Sequence, residues 1–165
     1  MKILALDVST KSTGWFITKR SCGLLTLDPN LSFPDKLVEF RKEVIKLIRK
    51  YKPDIVVIED TYARFGNVHT LKQLSRFAGV ALEACASEGV QSDLITATQA
   101  RKFCCGKQEG EFKKKEVFKY FVEEYNLKGW TFASHNDITD AMALARGYRE
   151  IQRATKKKNQ KKTRN

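Results

Sequence analysis

Hydrophobic and polar positions along this chain switch repeatedly between strand-like and helix-like periods. Ile3-Leu4-Ala5-Leu6 is apolar at every position and stops at Asp7, the pattern of a short buried strand. After a polar turn from Ser9 to Gly14, Thr13–Thr18 and Gly23–Leu27 predict two more strands, joined closely enough by Lys19–Cys22 to form an antiparallel meander. Leu37, Phe40, Val44, Leu47 and Tyr51 then recur at helical spacing between Pro34 and Pro53. Ile55-Val56-Val57-Ile58 is a second fully apolar run, expected as a central strand, and it stops at Glu59. The spacing of Leu71, Leu74, Ala78, Ala81, Leu82 and Cys85 predicts a helix from about Asn67 to Ser87, ended by Gly89. A short strand at Ser92–Thr96 leads into a short helix that opens at Ala97 or Thr98 and breaks at Gly106. Gly106–Gly110 is a polar loop. Val117, Phe118, Phe121 and Val122 mark a basic helix over Lys113–Tyr125. Ser134 reads as the N-cap of a last helix from His135 to about Gln152, with Asp137 as its capping partner and Ile138, Ala141, Met142, Ala145, Tyr148 and Ile151 on its buried face. The order of elements predicts a mixed α/β domain with a partly antiparallel sheet.

Charge adds a partner. The 165 residues contain 31 Lys and Arg against 19 Asp and Glu, a net charge of +12, which draws polyanions and favours nucleic acid. No apolar amphipathic stretch beside a lysine cluster supports membrane binding. Seven of the basic residues lie beyond Gln152 with no acid among them, so residues 153–165 are expected to form a basic, disordered tail on a 1–152 domain that is itself still basic. The four cysteines, Cys22, Cys85, Cys104 and Cys105, lack zinc-site spacing and suit reduced thiols. The N-terminal run meets an acid too soon for a secretory segment, and no run is long enough to span a bilayer. The expected location is the cytoplasm.

The candidate chemistry lies in the acids. Asp7 and Glu59 each end a buried strand. If those strands are adjacent and parallel, both carboxylates sit at the carboxyl edge where open α/β sheets bind ligands. Two such acids repel unless a proton or a cation joins them. Asp137 and Asp140 share a face in the first turns of the last helix, where the helix dipole already favours negative charge. Taken singly these are ordinary helix and strand-end acids. Together they form an oxygen-only ligand set from three separated elements, suited to Mg²⁺, with Mn²⁺ able to substitute, rather than zinc. Four carboxylates can hold two ions, and a basic protein with such a pair suits phosphodiester hydrolysis.

Leu4-Ala5-Leu6-Asp7 with Ser12-Thr13-Gly14-Trp15, then Val57-Ile58-Glu59-Asp60-Thr61-Tyr62, then Asp137-Ile138-Thr139-Asp140-Ala141-Met142-Ala143-Leu144-Ala145 resemble RuvC-type Holliday-junction resolvases. The resemblance runs from Met1 to about Gln152. It implies an RNase H-like sheet, a three-strand antiparallel meander plus parallel strands, flanked by helices. It also implies a homodimer making paired, symmetric, metal-dependent nicks in four-way DNA junctions and leaving 5′-phosphate and 3′-hydroxyl ends. Asp7, Glu59, Asp137 and Asp140 match the family's four metal-binding acids. Tyr62 matches an aromatic that stacks on bases at the opened junction, a role an aromatic face suits. Arg101, Lys113, Lys114 and Lys115 fall where the family carries DNA-contacting basic residues, and the helix from about Asn67 to Ser87 falls where it dimerises. Val8-Ser9 departs from the Pro-Gly common in bacterial members, as a diverged, phage- or virus-like member would.

Three other readings compete. A nuclease of the same fold could act on RNA–DNA hybrids, flaps or other branched DNA. A junction-binding protein could carry acids that are not catalytic. An actin-like phosphotransferase could use Asp7–Gly14 as a phosphate turn. That last reading lacks a second glycine-rich loop and enough chain for two lobes, so no nucleotide cofactor is expected.

Overall fold

The two uninterrupted apolar runs become neighbouring central strands. The protein is represented by a computed structural model that describes residues 1–60, 68–105 and 113–162. Strands β1 (Ile3–Asp7), β2 (Ser12–Thr18) and β3 (Ser21–Thr26) form the antiparallel meander. Helix α1 (Phe33–Tyr51) leads to β4 (Ile55–Asp60), and α2 (Val68–Ser87) leads to β5 (Gln91–Thr96). Both β4 and β5 are parallel to β1, in the sheet order β3-β2-β1-β4-β5. Helices α3 (Ala97–Cys104), α4 (Lys114–Tyr125) and α5 (Phe132–Lys162) complete the domain.

Period-2 alternation explains why the central strands are apolar throughout. Ile3 and Ala5 of β1, with Ile55 and Val57 of β4, enter a core with α3, α4 and α5. Leu4, Leu6, Val56 and Ile58 enter a second core with α1 and α2. The sheet is covered on both faces, so each position faces a core. Helix α1 begins where the Ser32 hydroxyl accepts the Asp35 N–H, and it ends at Lys52 in the left-handed region, just before Pro53. Helix α3 packs tightly on α5 because position 147 is glycine. A β-carbon there would lie 2.6 Å from the Ala100 backbone.

Two expectations need correction. Helix α5 starts at Phe132, so Ser134 lies inside it and is not its cap. The i→i−4 ladder is already running when the His135 N–H donates to the Thr131 carbonyl at 3.0 Å, and the Phe132 ring docks edge-on against Phe118. Its end is also later than expected, since α5 runs past Gln152 to Lys162 with residues 153–160 exposed, in keeping with the helix preference of Ala, Lys, Gln and Arg. Among the described residues, no helix is long and apolar enough to cross a membrane.

Candidate active site

Strand parity brings the first two acids together. In the parallel register Leu6 lies beside Ile58, so Asp7 and Glu59 follow side by side at the carboxyl ends of β1 and β4. Each is two residues beyond a side chain in the α5-side core, so both point toward α5. Their carboxyls are close enough to share a hydrogen bond. Helix α5 supplies the rest. Ile138 and Ala141 anchor its first turns in the core, and the same turns carry Asp137 and Asp140 to the strand ends.

Oxygens of Asp7, Asp137 and Asp140 all lie within 4.8 Å of one another. Glu59 joins this trio through Asp7 and lines the same small recess, of about 10 Å³, with Asp7, Arg101 and Asp140. Burial holds the Asp7 carboxyl well above the usual carboxylate range, and the neighbouring charges of Glu59 and Asp140 add to that rise. Burial likewise raises Asp140, although Lys114 and Arg101 partly oppose it.

Among the described residues, two cations reach the acids. Lys114 Nζ lies 2.8 Å from Asp140 Oδ2 and 3.4 Å from Asp137 Oδ1, and it donates to Asn136 Oδ1 at 2.8 Å. Arg101 Nη2 is 3.6 Å from Asp140 Oδ1. Burial alone would lower the Lys114 ammonium, but the surrounding carboxylates outweigh it and raise its pKa. Both cations meet Asp140 as ion pairs, and among the described residues the buried Arg101 Nε has no aligned hydrogen-bond acceptor. A cluster of three carboxylates, two of them buried, with Glu59 against Asp7, fits a hard divalent cation.

The other predicted contacts are not assembled here. Lys113 is exposed at the start of α4, where its N–H donates to Glu116. Lys115 points away from the acids, with Nζ 5.8 Å from the centre of the Phe132 ring. Tyr62 lies outside the described residues. Two contributors went unnoticed in the sequence. Asn136 holds Lys114 while donating to the Phe132 carbonyl at 2.9 Å. Gly14 lets β2 pass beneath α5, since a β-carbon there would fall on the Asp137 carbonyl. His135 faces elsewhere, stacked on Trp130 with ring centres 4.6 Å apart.

Comparison with known proteins agrees with this geometry. The family described as crossover junction endodeoxyribonuclease RuvC matches residues 3–147. A RuvC from Rhizobium johnstonii is 25% identical over 154 residues, covering 88% of this chain and 87% of its own. One from Lawsonia intracellularis is 27% identical and covers 88% of each. The Thermus thermophilus RuvC structure superposes with a TM-score of 0.74 at 16% identity, covering 94% of this chain and 97% of that one. The same protein in complex with a Holliday junction substrate gives 0.75 at 16% identity, over 93% of this chain and 96% of that one. The yeast mitochondrial Holliday junction resolvase gives 0.65 at 10% identity, over 89% and 77%. The fold is RNase H-like, as the sequence resemblance implied.

Proposed function

Since the chain belongs to the RuvC family of crossover junction endodeoxyribonucleases, we propose that it is a Holliday-junction resolving endonuclease that makes paired, symmetric, Mg²⁺-dependent nicks. The observation that carries the reading is the convergence of Asp7, Asp137 and Asp140, with Glu59 against Asp7, in a chain of net charge +12. Asp7, Glu59, Asp137 and Asp140 would hold two Mg²⁺ ions, with Mn²⁺ able to substitute. Such ions supply a hydroxide nucleophile at neutral pH and stabilise charge on the phosphate and the leaving oxygen. The protein's part is placement. The strands fix Asp7 and Glu59, and α5 fixes the other two acids. Lys114 and Arg101 add positive charge beside the acids, where they can meet the oxygens of a scissile phosphate. Lys113, Lys115 and Tyr62 are proposed to contact DNA away from the cut. The product ends would be 5′-phosphate and 3′-hydroxyl.

The test is incubation with a four-way junction, a matched duplex and an RNA–DNA hybrid, with Mg²⁺ and with chelator. Paired nicks confined to the junction and lost in chelator support the reading. Cutting of the hybrid or of the matched duplex moves the substrate, and binding without cutting in Mg²⁺ ends the nuclease assignment for this chain.

Two features extend the proposal to assembly and affinity. Symmetric cutting needs two active sites, and we assign dimerisation to the outer face of α2, where Val68 is exposed and Leu71 and Leu74 are half-buried. Gly79 lies mid-helix with open space around it. In a lone protomer Gly79→Ala stabilises the helix by about 1 kcal/mol. Against a close-packed second copy it weakens association, and sedimentation of the variant should show a lower dimer fraction than wild type. Truncation after Gln152 removes an exposed basic arm and is expected to weaken junction binding. It should also flatten the dependence of log K on log salt, read by titration at several salt concentrations.

A further inference from the structure

Helix α3 carries Arg101 to the acids, and one turn later it ends in two adjacent cysteines that cleavage does not use. Cys104 is the last residue of α3 and is buried, and Cys105 follows it, half-buried. Their sulfurs lie 3.1 Å apart. Side chains one residue apart do not face each other inside a helix. These two meet because Cys105 has left the helix, with φ −106° and ψ 14°.

The pair sits where a thiol can react. Arg101 and Arg146 place positive charge near it, as at reactive cysteines generally. The hydrogen bond with Cys105, and then burial, outweigh that charge and hold the Cys104 thiol well above its usual range. Cys104 therefore keeps its proton, and Cys105 is the sulfur that an oxidant in solvent reaches first. The other two thiols are placed differently. Cys85 is buried in the core on the far face of the sheet, and burial pushes it up to about 11. Cys22 lies on β3, and burial raises its thiol as well.

We propose that Cys104–Cys105 is an oxidation site, at which a peroxide converts the pair to a disulfide between neighbouring residues and thereby releases Arg101 from Asp140. The Cys105 sulfur attacks hydrogen peroxide and the O–O bond breaks. One oxygen stays on sulfur as the sulfenic acid, and the other leaves as water with the Cys105 thiol proton. The Cys104 sulfur then attacks the Cys105 sulfur and the S–O bond breaks. The hydroxyl leaves with the Cys104 proton as a second water. Two electrons pass from the sulfurs to the peroxide.

The new bond acts on Arg101 through the backbone. It draws the sulfurs from 3.1 Å to about 2.05 Å and closes a ring across a single peptide bond. Adjacent Cα atoms are about 3.8 Å apart, less than the roughly 4.4–6.8 Å that disulfides usually span, so the chain at Cys104 must turn. Oxidation also removes the hydrogen that the Cys104 thiol donates to the Arg101 carbonyl at 3.5 Å. On the other side Ala100 is fixed against Gly147 of α5. The movement therefore falls on the turn from Arg101 to Cys104, and Arg101 Nη2, 3.6 Å from Asp140 Oδ1, moves away. A disulfide under such constraint is readily reduced, so thiols reverse the change.

The test treats the reduced full chain with hydrogen peroxide and maps its thiols by alkylation and mass spectrometry. The tryptic peptide Phe103–Lys107 is expected to lose two hydrogens, while Cys22 and Cys85 remain open to alkylation after unfolding. Amides of residues 101–104 should exchange faster in the oxidised chain. Junction cleavage in Mg²⁺ should fall by about tenfold or more and return with dithiothreitol. Cys105→Ser should cut at the wild-type rate before and after peroxide. A bond from either cysteine to Cys22, a bond between two chains, or an unchanged peptide would overturn the site. The disulfide with unchanged exchange and cleavage would overturn its link to Arg101. The mapping and the exchange need no cutting, so they decide the proposal even where the nuclease reading fails.

Discussion

Asp7→Asn is expected to lower junction cutting by at least about a thousandfold while leaving junction binding in chelator within a few fold of wild type. Asp7 is one of the two buried acids of the trio, and it is the member that touches Glu59. Asparagine keeps its shape but removes the anionic oxygen that a divalent cation needs. Single-turnover cleavage assays in Mg²⁺ measure the loss, and wild-type rates for the variant would remove Asp7 from the metal site.

The same substitution should stabilise the protein when no metal is present. The Asp7 carboxyl titrates well above its ordinary value, so the folded state holds a proton that the unfolded state has released. That stabilisation is complete below the ordinary carboxylate pKa and is lost as pH rises through the raised one. As pH rises in chelator the wild type therefore takes on a growing share of the cost of a buried, repelled carboxylate, and the Asp7→Asn protein does not. The variant's Tm should exceed that of wild type by about 3–6 °C at pH 8 and by less at pH 5. Adding Mg²⁺ should raise the wild-type Tm and leave that of the variant nearly unmoved.

Much of this site could be read from residue order because strand periodicity is strict. An apolar run that ends in an acid, occurring twice, fixes where Asp7 and Glu59 sit once the strands pair in parallel. The three-residue spacing of Asp137 and Asp140 fixes that both face one way. The choice among Lys113, Lys114 and Lys115 was also available. Lys114 precedes the buried Val117, Phe118 and Phe121 by three, four and seven residues, so helical phase turns it inward and its neighbours outward. The start of α5 was not available locally. Ser134 and Asp137 form a plausible cap, and only the docking of Phe132 on Phe118 moves the helix start forward. The length of α5 was obscured for a different reason. A lysine-rich segment with no apolar face suggests disorder, while its individual residues favour helix.

Gly14→Ala is expected to lower cleavage about a hundredfold, although residue 14 has no functional group. Gly14 pairs with Asp7 across β1 and β2, and α5 crosses it so closely that a methyl group would overlap the Asp137 carbonyl. Backbone cannot rotate aside as a side chain can, so either β2 or the first turns of α5 must move. Moving α5 shifts Asp137 and Asp140 relative to Asp7 and Glu59, and a displacement of about 1 Å at such a centre costs on the order of a hundredfold in rate. Overpacking at a buried crossing also destabilises by about 1–3 kcal/mol. The expected result is a folded variant with a Tm lower by several degrees, cleavage reduced about a hundredfold, and junction binding in chelator retained. A Gly14→Ala protein that cut at the wild-type rate would show that the acid cluster tolerates movement of α5, and that the close crossing of β2 and α5 does not set its geometry.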